Sequence, residues 1–154
     1  MMRPGMRSGT RSGVAAVEFA VLVPLILTLL LGLWEIGRMI ETQQVLTNAA
    51  REGGRQASTG QLTNTQVTNV ITQYLNAAGY PTGNVVVTIT TPQNDVSKAQ
   101  YLDKIQITVT IPYSDVQWTL LGLVTQPGDL IKAQVEWMSM IDKSFPTPTN
   151  PPIG

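Results

Sequence analysis

Residues 14–34 read VAAVEFAVLVPLILTLLLGLW, twenty-one residues with a single charge, Glu18. Wound as an α-helix the stretch is about 32 Å long at about 1.5 Å per residue, close to the hydrocarbon thickness of a bilayer of about 30 Å. A helix at the surface of a soluble protein carries an apolar stripe, whereas this one is apolar all round. It therefore reads as a transmembrane helix; a chain of 154 residues has little material with which to surround such a rod. Glu18 is the anomaly. An acid in a spanning segment typically costs about 2.5–3.5 kcal/mol on insertion scales, so its presence marks a function or a partner.

The charges on either side orient this span. Residues 1–13 hold Arg3, Arg7 and Arg11 and no acid, and a basic segment abutting an apolar span stays on the cytoplasmic side. The remainder of the chain is then expected across the cytoplasmic (inner) membrane. The apolar run exceeds a secretory signal's core of about 7–15 residues, no clear A-x-A site follows it, and it continues into a helical pattern. The leader, rich in Gly and Ser and without apolar periodicity, is expected to be disordered.

Beyond Trp34, apolar or small residues recur at Ile36, Met39, Ile40, Leu46, Ala49, Ala50, Gly53 and Ala57, spacings of three and four that describe one helix face. Glu35, Arg38, Glu41, Gln44, Arg51, Glu52 and Arg55 fall largely between them, and Arg51, Glu52 and Arg55 read as a solvated face. One continuous helix from about Val14 to Ala57 is predicted, weakened near its end by Gly53-Gly54 and stopped at Gly60. A second helix is expected from about Leu62 to Ala78, with Val67, Val70, Ile71, Tyr74 and Leu75 on its apolar stripe, ended by Gly79.

Three strand candidates follow. Val85 to Thr91 is rich in β-branched residues; Ile105, Ile107, Val109 and Ile111 alternate with Gln106, Thr108 and Thr110; Ile131, Ala133, Val135, Trp137 and Ser139 alternate with Lys132, Gln134, Glu136, Met138 and Met140. Gln126-Pro127-Gly128-Asp129 has the signature of a type II turn. Trp118, Leu120, Leu121, Leu123 and Val124 form an apolar patch that reads as a loop folded onto the core, the alternative being a loop that dips into a membrane or binds a partner. The tail from Phe145, with Pro146, Pro148, Pro151 and Pro152, is expected to be extended. A sheet with one apolar face must cover it. The obvious cover is residues 36–57 of the long helix with the second helix beside it.

The expected architecture is thus α+β: a basic leader (1–13), a spanning helix (14–34), a head (35–143) whose spine is 35–57, and a Pro-rich tail (144–154). The chain has no Cys and no His, which removes thiolate chemistry, the commonest general base and the commonest metal ligand. Asp95, Asp103, Asp115, Asp129, Glu136 and Asp142 show no clustered spacing, and neither a nucleophile motif nor a phosphate loop is present, so no enzymatic role, cofactor or metal is expected. No basic patch with interleaved aromatics suggests nucleic acid.

The run from Arg11 through Gly13, Val14 and Val17-Glu18-Phe19-Ala20, with Pro24, Glu35 to Arg38 and Asn48-Ala49-Ala50-Arg51-Glu52-Gly53, resembles class III-type prepilins and more closely the TadE-like family, minor pseudopilins of the tight-adherence (Flp) pilus system. The resemblance covers residues 11 to about 57. It implies a pilin-like fold and a substrate of an aspartic prepilin peptidase that cuts between Gly13 and Val14, with Glu18 and Phe19 serving recognition and assembly with other pilin-like subunits. Val14 departs from the small residue such families often carry after the cut. A cut there creates an α-amino group at a helix N-terminus, where a cation opposes the helix dipole. Glu18, one turn on, relieves that conflict or pairs with a neighbour's amine; the alternative is that it snorkels to the headgroups. The competing reading of the whole chain is an uncleaved, single-span anchored module whose head binds an envelope partner.

Overall fold

The computed structural model describes residues 9–117, 126 and 128–141, with side chains from residue 13 onward. The elements run α1 (Gly9–Ala57), α2 (Asn64–Ala77), β1 (Val86–Thr90), β2 (Lys104–Pro112) and β3 (Leu130–Met138), with single 3₁₀ turns at Val96–Lys98 and Tyr113–Asp115. This is the expected α+β architecture of a long apolar helix, a second helix and a three-stranded antiparallel sheet. The apolar patch from Trp118 to Val124, Pro127 of the turn, residues 1–8 of the leader and the tail from Phe145 lie outside the described residues.

The 49 residues of α1 change character along their length. Among the described residues it is the one helix long and apolar enough to cross a membrane; its most apolar 18-residue window has a mean hydropathy of 2.6, and none of that window is buried in the protein. A core helix of a soluble domain would be covered, so the exposure of Val21, Leu25, Leu29 and Leu33 leaves this half in need of an apolar solvent. Pro24 sits inside the helix and removes one backbone donor, and the Thr28 hydroxyl donates to the Pro24 carbonyl at 2.8 Å.

The helix begins at Gly9, not Val14, so residues 9–13 of the leader continue the rod rather than being disordered. Gly, Thr and Ser are poor helix formers, yet nucleation is the unfavourable step, and adding one turn to an existing helix fixes one residue per hydrogen bond gained.

From Glu35 on, α1 is the spine of the head. Its buried face follows Glu35, Thr42, Leu46, Ala49, Ala50, Gly53, Gly54 and Ala57, with Met39 and Val45 partly buried. Ile36 and Ile40 are exposed, contrary to the periodicity reading; they sit one residue, about 100° of turn, beyond Glu35 and Met39. Gly53 and Gly54 do not end the helix, which runs on to Ala57. A Cβ at Gly53 would lie 2.6 Å from the Ile71 side chain of α2, and one at Gly54 would overlap the Trp137 indole of β3, so the two glycines admit the neighbouring elements. The helix ends at Ala57, and the turn that follows it closes at the expected stop, Gly60, whose φ of 66° suits a residue without a Cβ.

α2 starts two residues later than its apolar pattern suggested because Thr63 caps it, its side chain accepting from the Gln66 N–H while the Gln66 side chain accepts from the Thr63 N–H. It ends in a Schellman motif. Gly79, at φ 80°, donates to Asn76, and Tyr80 donates to Leu75, bringing two buried side chains together.

The sheet order is β1-β2-β3, both pairs antiparallel. Val109 pairs with Val87 and Ala133, and Ile107 with Ile89 and Val135, so one face is apolar. Ile105, Ile107, Val109 and Ile111 are fully buried beneath it, while the opposite face carries Thr88, Thr108, Gln134 and the Lys104–Glu136 ion pair of 2.8 Å. α1 lies against β3 and β2, with α2 beside α1, as the need to cover the sheet required. Gln126 accepts from the Asp129 N–H and Gly128 takes φ 105° at the third place, as a type II turn requires.

Candidate membrane anchor and assembly site

The residues singled out for processing and assembly lie on the first uncovered turns of α1. Gly13 is helical, and a Cβ placed on it would meet nothing within 4 Å. Val14 and Phe19 are 61% and 65% exposed. Glu18 stands four residues beyond Val14, hence on the same face one turn along. Val17, Val21 and Leu22 surround it and form with it a shallow, almost wholly apolar groove of about 420 Å³. The Glu18 carboxylate thus stands on an apolar, exposed stretch of helix surface.

A second cluster lies where the apolar half gives way to the head, and only part of it was visible in the sequence. Glu35, which the helical pattern put on a polar face, is 2% exposed. Arg38 is drawn inward: its Nε donates to the Val116 carbonyl at 3.2 Å, its Nη1 meets Glu41 Oε2 at 3.0 Å, and its guanidinium lies 5.3 Å from the centre of the Tyr80 ring. Tyr80 is held there by the Schellman motif, and its buried hydroxyl has no partner among the described residues. Arg38 therefore ties the helix to the segments after α2 and after β2, fixing how the head sits on the rod. The i,i+3 spacing of Glu35, Arg38 and Glu41 signalled a helix, but nothing local signalled that Val116 and Tyr80 would be its partners.

Further along, Arg51 and Arg55 are exposed and Glu52 is partly so, matching the solvated face expected of them. Hydrogen bonds from Arg55 and then Gln56 hold the Glu52 carboxyl below the ordinary carboxylate range. Asp95 is lowered likewise, first by the Ser97 backbone N–H and then by its hydroxyl. Among the described residues no group of three or more acidic side chains is placed to hold a metal ion.

No curated protein and no solved structure matches the chain. The family model described as TadE-like protein matches residues 13–55, from the glycine at the end of the leader to Arg55 on the last turns of α1. The matched stretch is thus the rod and the spine together, and it links the chain to pilus-associated membrane proteins. Over residues 13–55 the chain is similar to the TadE-like family, in agreement with the resemblance drawn from its motifs.

Proposed function

We propose that the chain is a minor pilin-like subunit of a tight-adherence type pilus or a related secretion apparatus. A prepilin peptidase cuts it after Gly13, and it is held in the cytoplasmic membrane with its head outside until it joins other pilin-like subunits. The observation that carries this reading is the division of one 49-residue helix into an uncovered apolar half and a half that is the spine of a small head, over the stretch that is TadE-like. A plain anchor needs no such continuity, whereas a rod rigidly coupled to its head transmits the position of one to the other.

In this role Glu18 pairs with the new Val14 amine of a neighbouring chain, a contact that sets register more than it adds stability. Phe19, exposed beside it, supplies apolar surface for the peptidase or the neighbour. The three arginines of the leader keep the N-terminus inside. Catalysis forms no part of the proposal.

The experiment is the N-terminal residue and intact mass of the protein taken from its native membrane. The expected result is a chain beginning at Val14, while a Gly13→Leu variant stays heavier by the leader of 13 residues. A native chain beginning at Met1 or Met2 would sink the pilin reading in favour of an uncleaved, membrane-anchored binding module.

A further inference from the structure

The end of the head farthest from the apolar half of α1 exposes four large apolar residues together. The Met140 N–H donates to the Ser58 carbonyl at 3.0 Å, which sets the end of β3 beside the end of α1. Met138 and Met140 flank the buried Ser139 and so share the open face of the sheet, 51% and 68% exposed. Across from them the turn leading into β2 presents Tyr101 and Leu102, 59% and 60% exposed. Leu102 is the odd member. It takes the third place of the turn Gln100–Asp103, closed by the Asp103 N–H on the Gln100 carbonyl at 3.0 Å, with a φ of 66°. A type II turn reserves that place for glycine. The Leu102 N–H donates to the Ser139 carbonyl and the Ser139 N–H to the Asp103 carbonyl, both at 2.9 Å, so Leu102 and Asp103 together oppose Ser139. In such a bulge the left-handed first residue is again ordinarily glycine. Leucine here bears the strain of a left-handed backbone and stays exposed. A side chain that weakens its own turn without being buried by it points to a contact beyond the described fold.

We infer that this patch seats the chain's own C-terminal segment, residues 142–154, through Phe145 and the prolines that follow it. The inference goes beyond the pilin reading and is independent of any cut at Gly13. Two features choose this occupant. The first is reach: the described residues end at Ile141, whose side chain lies over Gly60, one residue past Met140. Phe145, four residues on, is within about 14 Å of Ile141 along any path, at about 3.3–3.6 Å per residue. The second is charge. The Lys104 ammonium, opposite Met138, is met by Glu136 at 2.8 Å, and the Asp103 carboxylate accepts from the Gln100 N–H at 2.7 Å. The patch is thus neutral, and residues 144–154 carry no charged side chain. A tethered segment also acts at an effective concentration of order millimolar, well above that of most free partners. Proline, with φ already fixed, gives up little freedom on docking and suits an aromatic platform such as Tyr101, and methionine adapts to irregular apolar surfaces. With residues 14–34 in the membrane as proposed, lipid is not the cover, because about 35 Å of helix rise separates Trp34 from Ala57.

The test reads the cover through the two methionines. The full chain, in nanodiscs holding one copy each, is treated with dilute hydrogen peroxide, and the initial rates of sulfoxide formation at Met138 and Met140 are followed by peptide mass spectrometry. Met39, partly buried on α1, is the internal reference. Both methionines should oxidise about fivefold more slowly than in a chain shortened to residues 1–143, a ratio equivalent to about 1 kcal/mol. Phe145→Ser keeps the length of the segment, and Leu102→Gly keeps the turn by supplying the residue its φ calls for. Each should return the rates to those of the shortened chain. Equal rates in the full and shortened chains would overturn the proposal. Protection that survives both substitutions would overturn it as well, since the apolar contact would then play no part. Protection found only in discs holding two copies would assign the cover to a second copy and overturn it likewise.

Discussion

Replacing Gly54 with alanine sets two effects of opposite sign against each other, and the structure decides between them. In a helix interior alanine is favoured over glycine by about 1 kcal/mol. The added Cβ, however, would overlap Cδ1, Nε1 and Cγ of the Trp137 indole, three atoms of a rigid ring that cannot yield by turning a single terminal bond. Overpacking of this kind costs about 1–3 kcal/mol, and the overlap of ring atoms puts it in the upper part of that range. The expected net effect is a loss of about 1–2 kcal/mol. Gly37→Ala supplies the control on the same helix: no atom lies within 4 Å of its Cβ position, so only the propensity remains and the variant should gain about 0.5–1 kcal/mol. Thermal unfolding of the full chain in detergent, followed by near-ultraviolet circular dichroism, measures both. At roughly 4–8 °C per kcal/mol for a domain of this size, the two midpoints should move apart by ten degrees or so. If Gly54→Ala raises the midpoint as much as Gly37→Ala does, the close packing of β3 on α1 is wrong.

Within β2, Val109→Asp places an uncompensated carboxylate at a fully buried position between Val87 and Ala133 and should unfold the head, whereas Thr108→Asp on the opposite face should shift stability by less than about 1 kcal/mol; comparable tolerance of the two would contradict the register. Asp95 has its folded pKa depressed by the Ser97 N–H and hydroxyl, so its contribution is fully present above the ordinary aspartate value of about 4 and is lost as pH falls through the folded value. The stability difference between wild type and Asp95→Ala, followed by denaturant titration from pH 6 to pH 2, should therefore shrink toward acid; a difference that grows there would reverse the sign of the argument.

Much of the architecture was legible because each signal is local or strictly periodic. The alternation of Ile105, Ile107, Val109 and Ile111 gives the buried face of β2 without knowledge of its partners, and Gly79 marks the end of α2 through a left-handed conformation that glycine, unlike other residues, adopts cheaply. What escaped depends on contacts distant in sequence. Ile36 and Ile40 look like core residues by type, yet the face is chosen by where β3 and α2 lie, and that choice buries Glu35 and Thr42 instead. Gly53 and Gly54 read as helix breakers in isolation; only the arrival of Ile71 and Trp137 turns them into points of close approach. Arg38 was visible as half of a helical ion pair, while its hold on the Val116 carbonyl spans 78 positions of sequence.

The helical state of Gly13 bears on the processing proposal, because a peptidase works on extended backbone and α1 runs unbroken from Gly9 through the expected scissile bond. Two parts of that first stretch differ in how readily they open. Residues 9–13 are Gly, Thr, Arg, Ser and Gly, and glycine alone gives up about 1 kcal/mol of helix propensity against alanine. No packing is lost around Gly13 when the turn unwinds, since its surroundings are empty, and water at the membrane surface satisfies the freed backbone groups. With residues 14–34 spanning the membrane as proposed, the same unwinding beyond Val14 would strand N–H and C=O groups in hydrocarbon at several kcal/mol each. On that placement the boundary between helix that opens easily and helix that does not falls near Gly13 and Val14. Under the proposed processing, the cut is therefore expected at that bond or at one before it, and a native chain that begins beyond Val14 would contradict the proposal.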